Sequence, residues 1–160
     1  MKKILIASCL SMSLFVANSM AKECILVEEL NVEFNNATAV YSNNAEKEEL
    51  VKFAKFMKEN DVYAVIEGHT SSLDDAAYNY DLSTKRAVKV MNELKGLGVS
   101  KSHVRAMGFG ESSPLYNNAT QEGSAKNRRV IAEVFNSAEE LDAYIKLEKS
   151  RIKNIVLSEQ

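Results

Sequence analysis

Three polar side chains, Asn79, Ser83 and Arg86, are spaced by four and three residues within one amphipathic stretch. On a helix that spacing lines them along a single flank. A guanidinium there can take a carboxylate through two parallel N–H bonds, and an amide beside it offers both a donor and an acceptor. The chemistry is recognition rather than bond making; the alternative for Arg86 is a solvated charge on an amphipathic helix. His69, Ser71 and Asp74 or Asp75 hold the ingredients of a Ser-His-Asp set. A His two positions from the Ser would rarely turn its ring to that hydroxyl, however, and there is no nucleophile elbow. His69 and His103 are the only histidines and fall on different elements, with no Cys pair nearby to complete a metal site.

The elements that must position these residues follow from hydrophobic periodicity. Residues 25–34 read as a first strand with Leu26, Leu30, Val32 and Phe34 on one face. Asn35, Asn36, Asn43 and Asn44 mark a loop and an N-cap before a helix over 46–59, whose stripe is Leu50, Phe53, Ala54 and Met57. The apolar run Val62 to Ile66 suits a strand covered on both faces, ending at Gly68. A second helix is predicted from about Asp74 to Lys95 with a core stripe of Ala76, Tyr80, Ala87, Met91 and Leu94. His103 to Met107 forms a third strand, and a loop carrying Pro114 and Gly123 leads to a fourth over 129–135 that pairs antiparallel. A final amphipathic helix runs from Ala138 to about Ile155 with Leu141, Tyr144, Ile145, Ile152 and Ile155 on one side; it either covers its own sheet or meets a partner helix. Gly108, Gly110 and Gly123 are read as turn glycines, not as a phosphate loop.

Composition bounds the rest. With 160 residues, 46 % of them apolar, and a single Pro, the chain is one ordinary domain with additions rather than a disordered protein. Residues 1–21 look like a cleaved export signal: Lys2 and Lys3, an apolar middle over 4–17, and Ser19-Met20-Ala21 as the cleavage site. The competing membrane helix would be short and is broken by Ser8, Ser11 and Ser13. Without the leader, 18 basic residues face 22 acidic ones, a balance of −4 that offers nothing to nucleic acid. Cys9 lies too close to Lys3 for a lipoprotein signal, and Cys24 follows no lipobox; Cys24 reads as a small hydrophobe, with a mixed disulfide as the alternative.

Gly68-His69-Thr70, Asn79, Leu82-Ser83 and Arg86-Ala87, followed by Gly108-Phe109-Gly110-Glu111, Pro114, Asn118, Gly123 and Asn127-Arg128-Arg129-Val130, resemble the OmpA-like domain in order and spacing. Val32-Glu33-Phe34 with Thr38-Ala39 is similar to its first strand and turn. The resemblance implies an α/β (α+β sandwich) fold, a β-α-β-α-β-β mixed sheet with helices packed on it, over 22–136, with the C-terminal helix as an extension over 137–160. It implies non-catalytic binding of peptidoglycan, without cofactor or metal, in the periplasm and in association with the outer membrane. The ligand would be the diaminopimelate of the stem peptide, a carboxylate next to an ammonium. By resemblance the site would comprise Asn35, Ser71, Asn79, Leu82, Arg86 and Arg128, with Arg128 favoured over Arg129 for the cleft.

The family normally has an Asp where Ser71 stands, and many members an acid at the position of Asn35. Replacing a charged acceptor by a neutral one weakens a hydrogen bond by roughly 1–2 kcal/mol. Asp74 and Asp75 can either supply the missing charge or cap the second helix. The alternative function is an envelope protein-interaction module with weakened wall binding, whose partners would be outer-membrane or other envelope proteins.

Overall fold

The computed structural model describes residues 29–158, with side chains given as far as Ile152. The expected export signal, Cys9, Cys24, the first residues of the expected first strand and the side chain of Ile155 lie outside the described residues. The order is β1 (Asn31–Glu33), α1 (Ala45–Asn60), β2 (Tyr63–His69), α2 (Ala76–Gly96), β3 (Val104–Gly110), α3 (Gln121–Asn127), β4 (Arg129–Phe135) and α4 (Ala138–Ser158). The strands form one mixed sheet in the order β1-β4-β2-β3. β2 and β3 are parallel, joined by α2, and β4 inserts antiparallel to both β1 and β2. The expected fold class is the observed one, although β1 and β2 are separated by the last strand.

Alternation along the strands sorts the sheet into two faces. Val32, Ala64, Ile66, Val104 and Val130 meet Leu50, Phe53, Ala54 and Met57 of α1 and Ala87, Val90 and Leu94 of α2 in the main core. The other face is covered by α4: Leu141 and Ile152 pack on Val65, Met107 and Phe109, flanked by Tyr63, Phe135, Tyr144 and Ile145. Burial of each of those two aliphatic chains contributes about 2 kcal/mol.

α2 lies so close to the sheet that two strand positions admit no side chain. A Cβ on Gly68 would come 2.0 Å from the Ser83 carbonyl oxygen, and one on Gly108 would come 2.2 Å from Thr84 Oγ1. Gly108 is therefore a contact glycine inside β3 and not a turn residue. Gly110, at φ +55°, does serve a turn. Its N–H donates to Ser83 Oγ at 2.9 Å, pinning the end of β3 to the helix.

The buried row of α2 is rotated from the apolar stripe expected for it. Asn79, Leu82, Ser83, Arg86, Ala87, Val90 and Leu94 face inward, whereas Tyr80 is 43 % exposed. The first half of the helix turns a polar edge toward the sheet because it meets backbone groups there, not apolar side chains. α3 is a further departure from the expected loop. It is two turns long, capped by Thr120 Oγ1 accepting from Gly123 N at 3.0 Å, and contains a glycine. It has no apolar stripe to reveal it.

Candidate ligand-binding cleft

Arg86 is completely buried. Its Nε donates to the Thr38 carbonyl at 2.9 Å, one terminal nitrogen to the Asn35 carbonyl at 3.0 Å, and the other to the His69 carbonyl at 3.4 Å. The guanidinium carbon stands 5.3 Å from the centre of the Phe34 ring. No carboxylate pairs with it among the described residues. Burial, and then the charge of Arg128, push its pKa down to about 10, so it stays protonated at neutral pH. Three backbone dipoles thus solvate a buried cation and clamp the turn 35–38 to the end of β2. That turn is itself unusual: Ala37 sits at φ 54°, in the left-handed region a β-carbon disfavours. It is closed by Asn35 N donating to the Val40 carbonyl at 2.9 Å.

Beside this clamp opens a cleft of about 400 Å3. It is lined by Asn36 from the turn, Leu73 from the β2–α2 loop, residues 118–121, Ser124 and Arg128. Arg128 is half-buried, and its Nε is enclosed with no hydrogen-bond partner among the described residues. Arg128 is the one cation in this lining, and no acid belongs to it. The opposite member of the pair, Arg129, is buried on the α4 side of the sheet and donates to the Ser113 carbonyl at 3.3 Å. Its burial lowers its pKa. Adjacent residues on a strand face opposite ways, and that alone separates the two arginines.

Of the ligand-site residues expected from the sequence, Arg128 alone lines the cleft; Asn118 of the family motif and Asn36 of the first loop line it too. Asn79 is buried and ties the corner together, its amide donating to the Asp74 carbonyl at 2.9 Å and to the Glu111 carboxylate. Ser71 and Leu82 are buried near the same corner. Asn35 meets Arg86 through its carbonyl, while its amide donates to the Tyr41 carbonyl at 3.2 Å. Asp75 caps α2, accepting from Tyr78 N at 2.8 Å. Asp74 is exposed and forms no ion pair among the described residues. The carboxylates at 74 and 75 therefore divide between a free acid and a helix cap.

Leu73, Thr120, Gln121 and Ser124 have no side chain that announces chemistry in the sequence, and Asn36 is legible there only as a loop residue. Nor does the sequence assign a role to Asn127, which is fully buried and organises the loop 111–120. Asn127 Oδ1 accepts from Leu115 N and Tyr116 N at 3.1 and 3.0 Å, and its amide donates to the Tyr116 carbonyl and to Asn118 Oδ1, both at 2.8 Å. The signal available was its place in the Asn127-Arg128-Arg129-Val130 block.

The hydrolytic set is not assembled. The His69 ring stacks on Phe109 at 5.2 Å, and neither of its nitrogens has a hydrogen-bond partner among the described residues. His103 Nε2 contacts Asp61 at 3.1 Å, far along the chain from His69. Among the described residues no three metal-ligating side chains converge, and no helix is long and apolar enough to cross a membrane.

A sequence model of the OmpA family matches residues 34–128, and the chain belongs to that family. It is 41 % identical over 108 residues to outer membrane porin F of Pseudomonas aeruginosa, an alignment covering 66 % of this chain and 31 % of that protein. It is 40 % identical over 70 residues to the peptidoglycan-binding protein ArfA of Mycobacterium tuberculosis, covering 44 % of this chain and 22 % of the relative. The chain thus spans about a third or less of these curated relatives. Among solved structures, the peptidoglycan-associated lipoprotein of Burkholderia pseudomallei superposes with a TM-score of 0.62 at 24 % identity, over 66 % of this chain and 89 % of that one. That likeness establishes the fold.

Proposed function

We propose that this protein binds peptidoglycan without chemical turnover, in the periplasm, and holds or organises the cell wall against the outer envelope. The observation that carries the reading is the cleft arginine. Arg128, only part-buried and in no ion pair among the described residues, lines a cleft with no acid in its lining, in a family member with a relative named for peptidoglycan binding. A ligand carboxylate would complete its hydrogen bonding with charge assistance. The stem-peptide diaminopimelate offers such a carboxylate, with an ammonium beside it.

Arg86 takes a different part from the one its motif suggests. With three carbonyls already on its guanidinium and no exposed surface, it acts as a buried positive charge behind the Asn35–Thr38 turn and keeps Asn36 in place. Ligand contact with Arg86 would require that turn to lift. Asp74, exposed and next to Leu73 of the lining, is the acid available for the ammonium.

A second reading, docking of an envelope protein, is favoured by one observation. The lining offers no carboxylate for an ammonium, and apolar side chains are exposed in the same region: Leu73 at 61 % and, on the loop leading to Asn118, Leu115 at 67 %. Calorimetric titration with a soluble muropeptide, compared with the same muropeptide amidated at the terminal carboxylate of its diaminopimelate, separates the two. Wall binding requires the amidated form to bind at least about 10-fold more weakly, the equivalent of one charge-assisted bond of ~1.4 kcal/mol. Equal binding of both forms, or of neither, would favour the docking module.

A further inference from the structure

The C-terminal helix lies outside the segment that the family model matches, yet it reaches the loop that walls the cleft. Arg151 is the link. Its Nε donates to Glu148 Oε2 at 2.6 Å, its guanidinium carbon stands 5.5 Å from the centre of the Phe109 ring, and its terminal nitrogen donates to Ser113 Oγ at 3.1 Å. Three fixed contacts on a planar fork leave the side chain little freedom. The neighbouring Ile152 is buried against the sheet, and the Tyr144 hydroxyl donates to the buried Glu67 carboxylate at 2.5 Å, so α4 is itself firmly seated.

Ser113 receives a second arginine from the other direction, since its carbonyl accepts from Arg129, the chain neighbour of Arg128. The loop between β3 and α3 is therefore held in two parts. From Leu115 onward it hangs on Asn127, within the family segment. At Ser113 it is also held from α4 by Arg151. The far end of this same loop supplies Asn118, Ala119 and Thr120 to the cleft.

We propose that Arg151 is a positioning residue for the cleft: through Ser113 it fixes the loop 111–120, so that the C-terminal helix tunes ligand capture without contributing a side chain to the lining. The ligand part of this inference rests on the wall-binding reading; the ordering of the loop does not.

The test uses the full chain in four versions, wild type, Arg151→Ala, Ser113→Ala and the double variant, with Leu147→Ala on the exposed side of α4 as control. Hydrogen exchange at the Leu115 and Tyr116 amides and affinity for a diaminopimelate-containing muropeptide are both measured. Each single variant is expected to speed exchange and to weaken binding by about five-fold, the worth of one hydrogen bond of ~1 kcal/mol. The double variant is expected to be no worse than Arg151→Ala alone, because the two substitutions break the same Arg151–Ser113 hydrogen bond. Leu147→Ala should change neither readout. Unchanged exchange in Arg151→Ala, or additive effects in the double variant, would overturn the proposal, since loss of general helix packing would not be mimicked by Ser113→Ala. If the wild type binds no muropeptide, the wall-binding reading falls while the exchange measurements still decide whether Arg151 orders the loop.

Discussion

Arg86 and Arg128 stand at the same corner of the sheet, close enough for the charge of one to depress the pKa of the other. What differs is the supply of acceptors. Around Arg86 the turn 35–38 and the end of β2 bring three carbonyls to the guanidinium and seal it from solvent. Around Arg128 the chain opens instead, and the side chain stands part-buried in the lining of a cleft, in no ion pair among the described residues. A buried cation whose donors are met by the protein serves the fold, whereas a part-exposed one in the lining of a cleft has donors to spare for a ligand. The stronger sequence motif marks the first, and the geometry directs attention to the second.

The division of labour has consequences that differ in size and kind. Arg86→Ala should cost about 3–5 kcal/mol of unfolding free energy in urea titration, because it leaves a large void and three carbonyls without their donor. Gly68→Ala should cost about 3 kcal/mol by driving α2 off the sheet, since its Cβ would meet the Ser83 carbonyl at 2.0 Å. Arg128→Ala should change stability by less than about 1 kcal/mol, as expected for a side chain that is not fully enclosed. Equal destabilisation by Arg86→Ala and Arg128→Ala would erase the distinction.

A smaller effect runs the other way. Ser71→Asp restores an acid near the buried end of β2, and muropeptide affinity should rise by about five-fold if that carboxylate reaches the ligand ammonium. No gain in titration would leave Asp74 as the acid that serves the ammonium.

The smallest effect is a pH dependence that reports on the opposite face of the same strand. His69 gives its carbonyl to Arg86, while its ring packs on Phe109. Burial holds its pKa below the ordinary 6.5, with Arg129 and Arg151 acting in the same sense and Glu67 opposing them. The unfolded chain therefore takes up this proton first. The stability contribution is complete above pH 6.5 and is lost as pH falls below it. Glu133, raised by burial and by Glu67, acts with the opposite sign as pH falls toward the carboxylate range. Thermal midpoints of wild type should fall between pH 7 and pH 5, and His69→Gln should flatten that fall; parallel curves would mean the ring titrates freely.

Much of the fold was legible because its elements obey simple periods. β4 begins and ends where alternation placed it, and the α1 stripe of Leu50, Phe53, Ala54 and Met57 is buried as expected. The helix carrying the motif was legible as a helix but not in its rotation. Hydropathy assigns Tyr80 to the core and cannot foresee that Asn79, Ser83 and Arg86 will be buried against strand glycines and turn carbonyls. The candidate site was legible as a corner of the sheet, through Gly68-His69-Thr70 and Arg128-Arg129, but its lining was not. Asn36, Leu73 and Ser124 come from three separated segments, and only tertiary structure brings them together. The same holds for Arg151, whose partner Ser113 lies 38 residues away.

On the proposed reading, the guanidinium beside the cleft, rather than the one sealed behind it, receives the wall peptide. Retention of the full chain on purified diaminopimelate-containing sacculi, measured for wild type and Arg128→Ala after circular dichroism has shown both to be folded, tests it most directly. Retention of Arg128→Ala should fall by about 10-fold or more; retention equal to wild type would contradict a ligand role for Arg128.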